Sequence, residues 1–296
     1  MWPSRRVSFS LPFAADLVDF TVLTIVTYAL FGACFGSFLN VCVSRWPAGL
    51  SVIRPPSRCP KCERAIRWHE NVPVVGWLRL GGKCAGCALP ISIEYPIVEL
   101  TVAVLWAGAA YLGGWGLDAL RLATFATIML GITLTDARHY VIPDGFTVFG
   151  FFFVLVTSVI AFFNGTPEQW FASPIDAIYG ACAGAGFIAI IGWLGEVALK
   201  KEAMGFGDAT LMAVVGAAIG PTRAIITIFV AAALGASAFL CVVYPISWLR
   251  AKKQGREFEP PLVPFGVFLA PAAVAMLLAG HALLDWGGTL LGVPLH

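Results

Sequence analysis

The sequence predicts an all-α integral membrane protein of about eight transmembrane helices, with a cytoplasmic zinc-binding insert between the first two. Three observations carry this reading. Of the 296 residues 59% are hydrophobic and 12% charged, with a mean hydropathy of +0.84, against roughly 25% charged in an average soluble domain. Apolar runs near the ~20 residues needed to cross a bilayer recur along the chain, and a backbone facing lipid must satisfy its own hydrogen bonds, so the runs should be helices. The one sizeable polar segment, about 45–93, lies between the first two runs and carries two Cys-x-x-C pairs. The net charge of +2 is too small to point to nucleic acid.

The runs fall at about 20–44, 94–115, 118–137, 145–163, 174–198, 208–220, 223–246 and 262–284. Arg5 and Arg6 precede the first, but no small-residue cleavage site follows, so it is expected to be a retained span rather than a signal peptide. Only Gly220-Pro221-Thr222-Arg223 separates the sixth from the seventh, where a proline and a charge interrupt the apolar run. Arg45, Arg54, Arg58, Lys61, Arg64, Arg67, Arg79 and Lys83 place the polar segment in the cytoplasm by the positive-inside rule. Eight spans then bring Arg138, Lys200, Lys201, Arg250, Lys252, Lys253 and Arg256 to the same side, with both termini outside; Arg5, Arg6, Arg121 and Arg223 dissent. The expected division is 1–93, a first helix with its insert, and 94–296, a seven-helix core, with no internal repeat.

The insert holds Cys59-Pro60-Lys61-Cys62 and, further on, Cys84-Ala85-Gly86-Cys87. Each pair turns two sulfurs toward one point, which suits a four-thiolate tetrahedral zinc site; two disulfides are the competing reading, disfavoured in a reducing cytoplasm. A segment with so few apolar residues has little core, so the metal would supply much of its folding energy. Four thiolates leave no open position, which makes the zinc structural. His69 lies between the pairs and reads as a surface histidine. Cys34, Cys42, Cys182 and Cys241 lie in the spans and read as small apolar fillers.

Acids at or inside a membrane boundary are costly, which makes them functional candidates. The sharpest two are Asp136, in LTDARHYVIPDG at the end of the third run, and Asp208, in KEAMGFGDATLM at the start of the sixth. Both are expected at the cytoplasmic level. Two carboxylates within a few ångströms cannot both ionise freely, so they share a proton, one activating water while the other polarises a scissile carbonyl. The other reading is structural: Asp208 as a helix N-cap, and Asp136 as an interfacial acid paired with Arg138 or Lys201. The glycines of GFGD let a helix or an extended peptide approach closely. Asp144 is a third candidate, well explained as a cap of the fourth helix. Glu94 and Glu99 read as supports or cation partners, Asp176 and Glu196 as anchors of span ends, and His139 as an interfacial histidine.

Further stretches complete a pattern: FGSFLNVCVSRWP at 35–47, ISIEYPIVEL at 91–100, DARHYVIPD at 136–144 and PFGVFLAPA at 264–272. Together with the cysteine pairs and GFGD, they resemble the bacterial type IV prepilin leader peptidases. These are membrane aspartyl peptidases that include the preflagellin peptidases and are similar to presenilins in the Gly-x-Gly-Asp motif. The resemblance covers most of the chain. It implies a multi-pass protein of the bacterial inner membrane that cleaves the short cationic leader of prepilins or pseudopilins after a glycine, on the cytoplasmic side. It further implies Asp136 and Asp208 as the catalytic pair, and methylation of the new N-terminus with S-adenosylmethionine, associated with the cysteine-bearing insert. Thr210 stands where many members have Lys, and Glu94 where Arg is common; the first bears on the electrostatics of the pair, the second on methyl transfer.

A physical expectation goes beyond the resemblance. Asp136 ends its helix, where the dipole disfavours an anion, while Asp208 begins one, where the dipole favours it. The shared proton is therefore expected mainly on Asp136, with Asp208 as base. Phe35, Gly36 and Asn40 are readable either as a wall for the cofactor or as a helix-packing face. A proton- or ion-coupled transporter with a zinc-stabilised docking loop is the alternative function, and would place its acids near the bilayer midplane among symmetric broken helices. A zinc-loop scaffold without catalysis is the third.

Overall fold

The computed structural model describes residues 12–166, 170–200, 204–254, 258 and 261–291. Arg5, Arg6, Lys201 and Arg256 lie outside them. The helices are α1 (Pro12–Arg45), α2 (Val75–Arg79), α3 (Glu94–Gly113), α4 (Leu117–His139), α5 (Asp144–Phe163), α6 (Pro174–Leu199), α7 (Phe206–Ile219), α8 (Pro221–Ala238), α9 (Tyr244–Gln254) and α10 (Gly266–Leu291). Every predicted run coincides with a helix, and α2 is an extra turn within the insert. Among the described residues the only extended pairing is two isolated bridges, Arg58 with Ala65 and Lys83 with Pro90.

Among the described residues six helical stretches are long and apolar enough to cross a membrane: Phe20–Ala48, Glu94–Gly113, Leu117–His139, Asp144–Phe163, Pro174–Ala198 and Pro221–Gln254. The last joins α8 to α9 through a π-helical turn, Phe239–Val243. The two remaining predicted runs are shorter apolar helices, α7 and the Gly266–Gly280 part of α10. With 14 residues, α7 is about 21 Å long, less than the ~30 Å hydrocarbon core. Most of it from Leu211 to Ile219 is buried in protein, so its neighbours, not lipid, are its solvent.

The chain forms two compact units, one from Met1–Phe38 with Arg58–Ala123 and the other from Leu39–Ser57 with Thr124–His296. In the first, α1 packs on α3 through Phe35 stacked on Trp106 at 4.7 Å and through Gly36, where a Cβ would lie 2.7 Å from the Glu99 Cα. These contacts make Phe35 and Gly36 a helix-packing face. In the second, α6 and α7 approach so closely that a side chain on Gly180 or Gly216 would run into the other's carbonyl, the small-residue contact that membrane helices use when no hydrophobic effect drives them together.

Two of the cations that dissent from the charge rule are explained by burial. Arg223 lies just past the end of α7, where its Nε donates to the Ile219 carbonyl at 2.6 Å and its Nη1 to the Trp170 carbonyl at 2.9 Å. A cation at a helix C-terminus satisfies orphan carbonyls and meets the negative end of the dipole. Arg121 is also buried and pairs with Asp118 at 3.5 Å. Both cations are internal fittings, not topology signals.

Candidate active site

Asp136 lies in the last turn of α4 and is only 6% exposed. A carboxylate so buried needs donors, and α10 provides one: the Val267 N–H donates to Asp136 Oδ2 at 3.1 Å. The approach depends on the absence of a side chain at Gly266, where a Cβ would stand 2.7 Å from that same oxygen. Gly266 opens α10, so the orphan N–H groups of its first turn point at the carboxylate.

Asp208 stands in the first turn of α7, whose N-cap is Gly205. Its N–H donates to the Gly205 carbonyl at 3.1 Å, and its carboxylate turns back to the Gly205 backbone, as the third residue of a helix does in half of a capping box. The glycine between them matters for packing: a Cβ on Gly207 would lie 3.0 Å from the Ile142 Cβ. Thr210 donates its hydroxyl to the Gly207 carbonyl at 2.9 Å, so α7's own backbone takes up this polar group.

The two acids come together. Asp136 and Asp208, on different helices, are close enough for the charge of one to act on the other. The capping explanation for Asp208 holds in part, since it steadies its own helix start, yet it does not account for Asp136 beside it. No ion pair to Asp136 is found among the described residues, and Arg138 and His139 are exposed.

The expectation that the dipoles divide the roles is overturned. Asp136 does end its own helix, but its carboxylate sits at the start of another, so both acids meet the positive end of a helix dipole. The proton has no preferred side on this ground. The sequence missed Gly266 and Val267 as site residues, although their motif, PFGVFLAPA, was visible as a span start.

The other candidate acids separate cleanly. Asp144 is exposed in the first turn of α5, whose N-cap is Pro143 with no side-chain cap bond. Asp176 accepts the Ser173 hydroxyl at 2.8 Å at the start of α6, an anchoring role. Glu196 and Glu94 are exposed. Glu99 is buried and accepts the Val74 N–H at 2.7 Å, tying the insert's α2 to α3.

In the insert, the four cysteine sulfurs lie within 4.8 Å of one another. Cys59 and Cys87 are 3.9 Å apart, and Cys62 and Cys84 4.0 Å; zinc–sulfur bonds of ≈ 2.3 Å in a tetrahedron separate sulfurs by about 3.8 Å. The two knuckles fold alike. In each, the first Cys N–H pairs with a carbonyl beyond the turn (Arg64, Leu89), and the residue after the second Cys, Glu63 or Ala88, takes a left-handed conformation with φ of 56°. The backbone N–H groups of Cys62 and Lys61 draw the Cys59 thiol down to about 6, the thiolate a metal needs. The donor set fits zinc. His69 lies outside the cluster, its ring against Trp68. Arg64 grips Glu70 with two bonds of 3.0 and 2.7 Å, and with the Arg67 N–H this holds Glu70 down to about 2.

Comparison with known proteins gives two family matches, the bacterial peptidase A24 N-terminal domain over residues 30–112 and the type IV leader peptidase family over residues 123–240. Three similar relatives are all named prepilin leader peptidase/N-methyltransferase. That of Stutzerimonas stutzeri is 31% identical over 281 residues, 86% of this chain and 88% of the relative. That of Pseudomonas aeruginosa is 32% identical over an alignment of 302 residues, 94% of this chain and 95% of the relative. That of Myxococcus xanthus is 34% identical over 186 residues, 63% of this chain and 53% of the relative. No solved structure matches.

Proposed function

Because this chain belongs to the type IV leader peptidase family, we propose that it is a membrane aspartyl endopeptidase that removes the short cationic leader of type IV prepilins or pseudopilins. The cut falls after a glycine at the cytoplasmic membrane face. The observation that carries the assignment of residues is the meeting of Asp136 and Asp208 at the starts of α10 and α7. Acids at the ends of apolar helices suit a scissile bond at the boundary where a cationic leader gives way to an apolar helix, and fit a midplane transport site less well.

In this reading the two carboxylates share one proton. The ionised one takes a proton from water, whose oxygen attacks the scissile carbonyl, while the protonated one donates to the carbonyl oxygen. Donors from both helix starts support the negative charge on either acid, so neither is fixed as base. The pair titrates as a unit.

Cys59, Cys62, Cys84 and Cys87 would hold a structural zinc, which pins the insert's two knuckles together. A division at 1–93 and 94–296 would give methyl transfer to the first part and peptide cleavage to the second, with α3 shared, since the N-terminal family match runs on to residue 112; methylation of the new N-terminus rests on the names of the relatives. S-adenosylmethionine would supply the methyl group. Gly36 is occupied in helix packing, while Phe35 stacks on Trp106 and keeps its other face exposed.

The test is leader cleavage of a prepilin by the purified protein, with Asp136→Asn and Asp208→Asn beside wild type and folding checked by thermal melting. Wild type is expected to cut after the leader glycine, and both folded variants to fall below about one thousandth of its rate. Folded variants that still cut would return the acids to capping roles. Mass spectrometry of the cut product with added S-adenosylmethionine reads methylation in the same experiment.

A further inference from the structure

The α4–α5 linker passes between the two acids' supports. A Cβ on Gly207, the residue before Asp208, would meet Ile142 at its Cβ, Cγ1 and Cδ1, 3.0 to 3.6 Å away. A Cβ on Gly266 would meet the Ile142 Cδ1 at 3.2 Å and Asp136 Oδ2 at 2.7 Å. One side chain therefore touches the start of α7 and the start of α10, the two helix ends that carry Asp208 and hold Asp136. Ile142 has little freedom to move. Tyr140 before it caps α4 with a left-handed φ of 56° and donates N–H to the Asp136 carbonyl, and the buried Pro143 after it leads into α5.

From these contacts we propose that Ile142 is the positioning residue of the pair: a spacer that sets the separation of the Asp136 and Asp208 carboxylates. The inference rests on the peptidase reading above. The β-branched side chain is stiff at χ1, and it fills the gap that two glycines leave open, so the starts of α7 and α10 close onto a defined width. Shortening it lets one or both helix starts settle inward. A misplacement near 1 Å costs on the order of 100-fold in rate without changing how the substrate is held.

The experiment compares steady-state cleavage of one prepilin by wild type, Ile142→Ala, Ile142→Leu and Ile219→Ala, each with a thermal melt. Ile219 is buried at the far end of α7, about 16 Å along the helix from Asp208, and its truncation is the control for lost packing. Ile142→Ala is expected to lower kcat about 100-fold with KM within about threefold. Ile142→Leu, which conserves volume, is expected to recover most of that loss, and Ile219→Ala to melt earlier with kcat within about threefold of wild type. The spacer role is overturned if Ile142→Ala keeps its kcat, if only KM rises, or if Ile219→Ala loses kcat equally. Failure of the underlying reading looks different: wild type does not cut, or folded Asp136→Asn and Asp208→Asn still do, and the spacer proposal then falls with it.

Discussion

A buried carboxylate is defined by what donates to it, and for Asp136 the donor comes from a helix that begins 130 positions later, through the Val267 N–H bond. Gly266 is what lets that helix in. Gly266→Ala puts a methyl 2.7 Å from Oδ2, and the contact is relieved only by moving the carboxylate or the helix start. Cleavage is expected to fall by about 100-fold in a protein that still melts cooperatively; cleavage at the wild-type rate in purified Gly266→Ala would show that the contact does not matter. The acids themselves were legible in the sequence, because carboxylates at the edges of apolar runs are few. Their chemistry was only half legible. The chain order puts Asp136 at the end of its own helix, and nothing local says that another helix start lies against it, so the division into acid and base loses the ground that single helices gave it.

At the scale of one element, the insert owes its shape to two identical knuckles and to the Arg64–Glu70 fork beside them. The cysteine spacing made the knuckles readable; the fork was not, because Arg64 and Glu70 are ordinary surface residue types at no diagnostic spacing. Purified wild type is expected to carry one zinc per chain by elemental analysis, and Cys59→Ser or Cys87→Ser to lose it and expose Arg58, Lys61 and Arg67 to trypsin. Retention of full zinc by both variants would exclude the four-thiolate site. The fork has its own pH signature. Glu70 is held near 2 against an ordinary 4.5, so the depressed acid adds stability that is complete above about 4.5 and fades as pH falls toward 2. The melting difference between wild type and Glu70→Gln is therefore expected to stay constant from pH 7 to 5 and shrink below about 4.5. A difference that shrinks between pH 7 and 5 instead would mean the fork is not formed.

On the scale of the whole molecule the open quantity is how the helices lie in the bilayer. The order of the eight apolar runs was readable because a lipid-facing helix must be long and apolar; the short α2 and the polar α9 were not. The depth of α7 was not, since a run of apolar residues looks the same whether lipid or protein surrounds it. Arg45 ends α1, Arg138 and His139 end α4, Lys200 follows α6, and Lys252 and Lys253 end α9. On the proposed topology the positive-inside rule assigns these four cationic ends, and with them Asp136 and Asp208, to the cytoplasm. On that topology α7 would start from the cytoplasmic edge and, at about 21 Å, would stop about 9 Å short of the opposite edge of a ~30 Å core. Its turn into α8 would then lie inside the hydrocarbon, a position that irregular backbone tolerates only when protein satisfies it, as the Arg223 bonds to Ile219 and Trp170 would do. Labelling of introduced cysteines with a membrane-impermeant maleimide, in intact spheroplasts of a strain whose native cysteines do not react, separates the arrangements. Asn164→Cys, just past α5, is expected to label, and Gln254→Cys to label only after the membrane is opened. Thr222→Cys, exposed on the α7–α8 turn, is expected to resist the reagent before and after opening and to react once detergent removes the lipid. If Thr222→Cys labels as readily as Asn164→Cys, α7 reaches the outer surface and the bilayer must thin around it; if Gln254→Cys labels in intact spheroplasts, the acids face outward and a leader held in the cytoplasm cannot reach them.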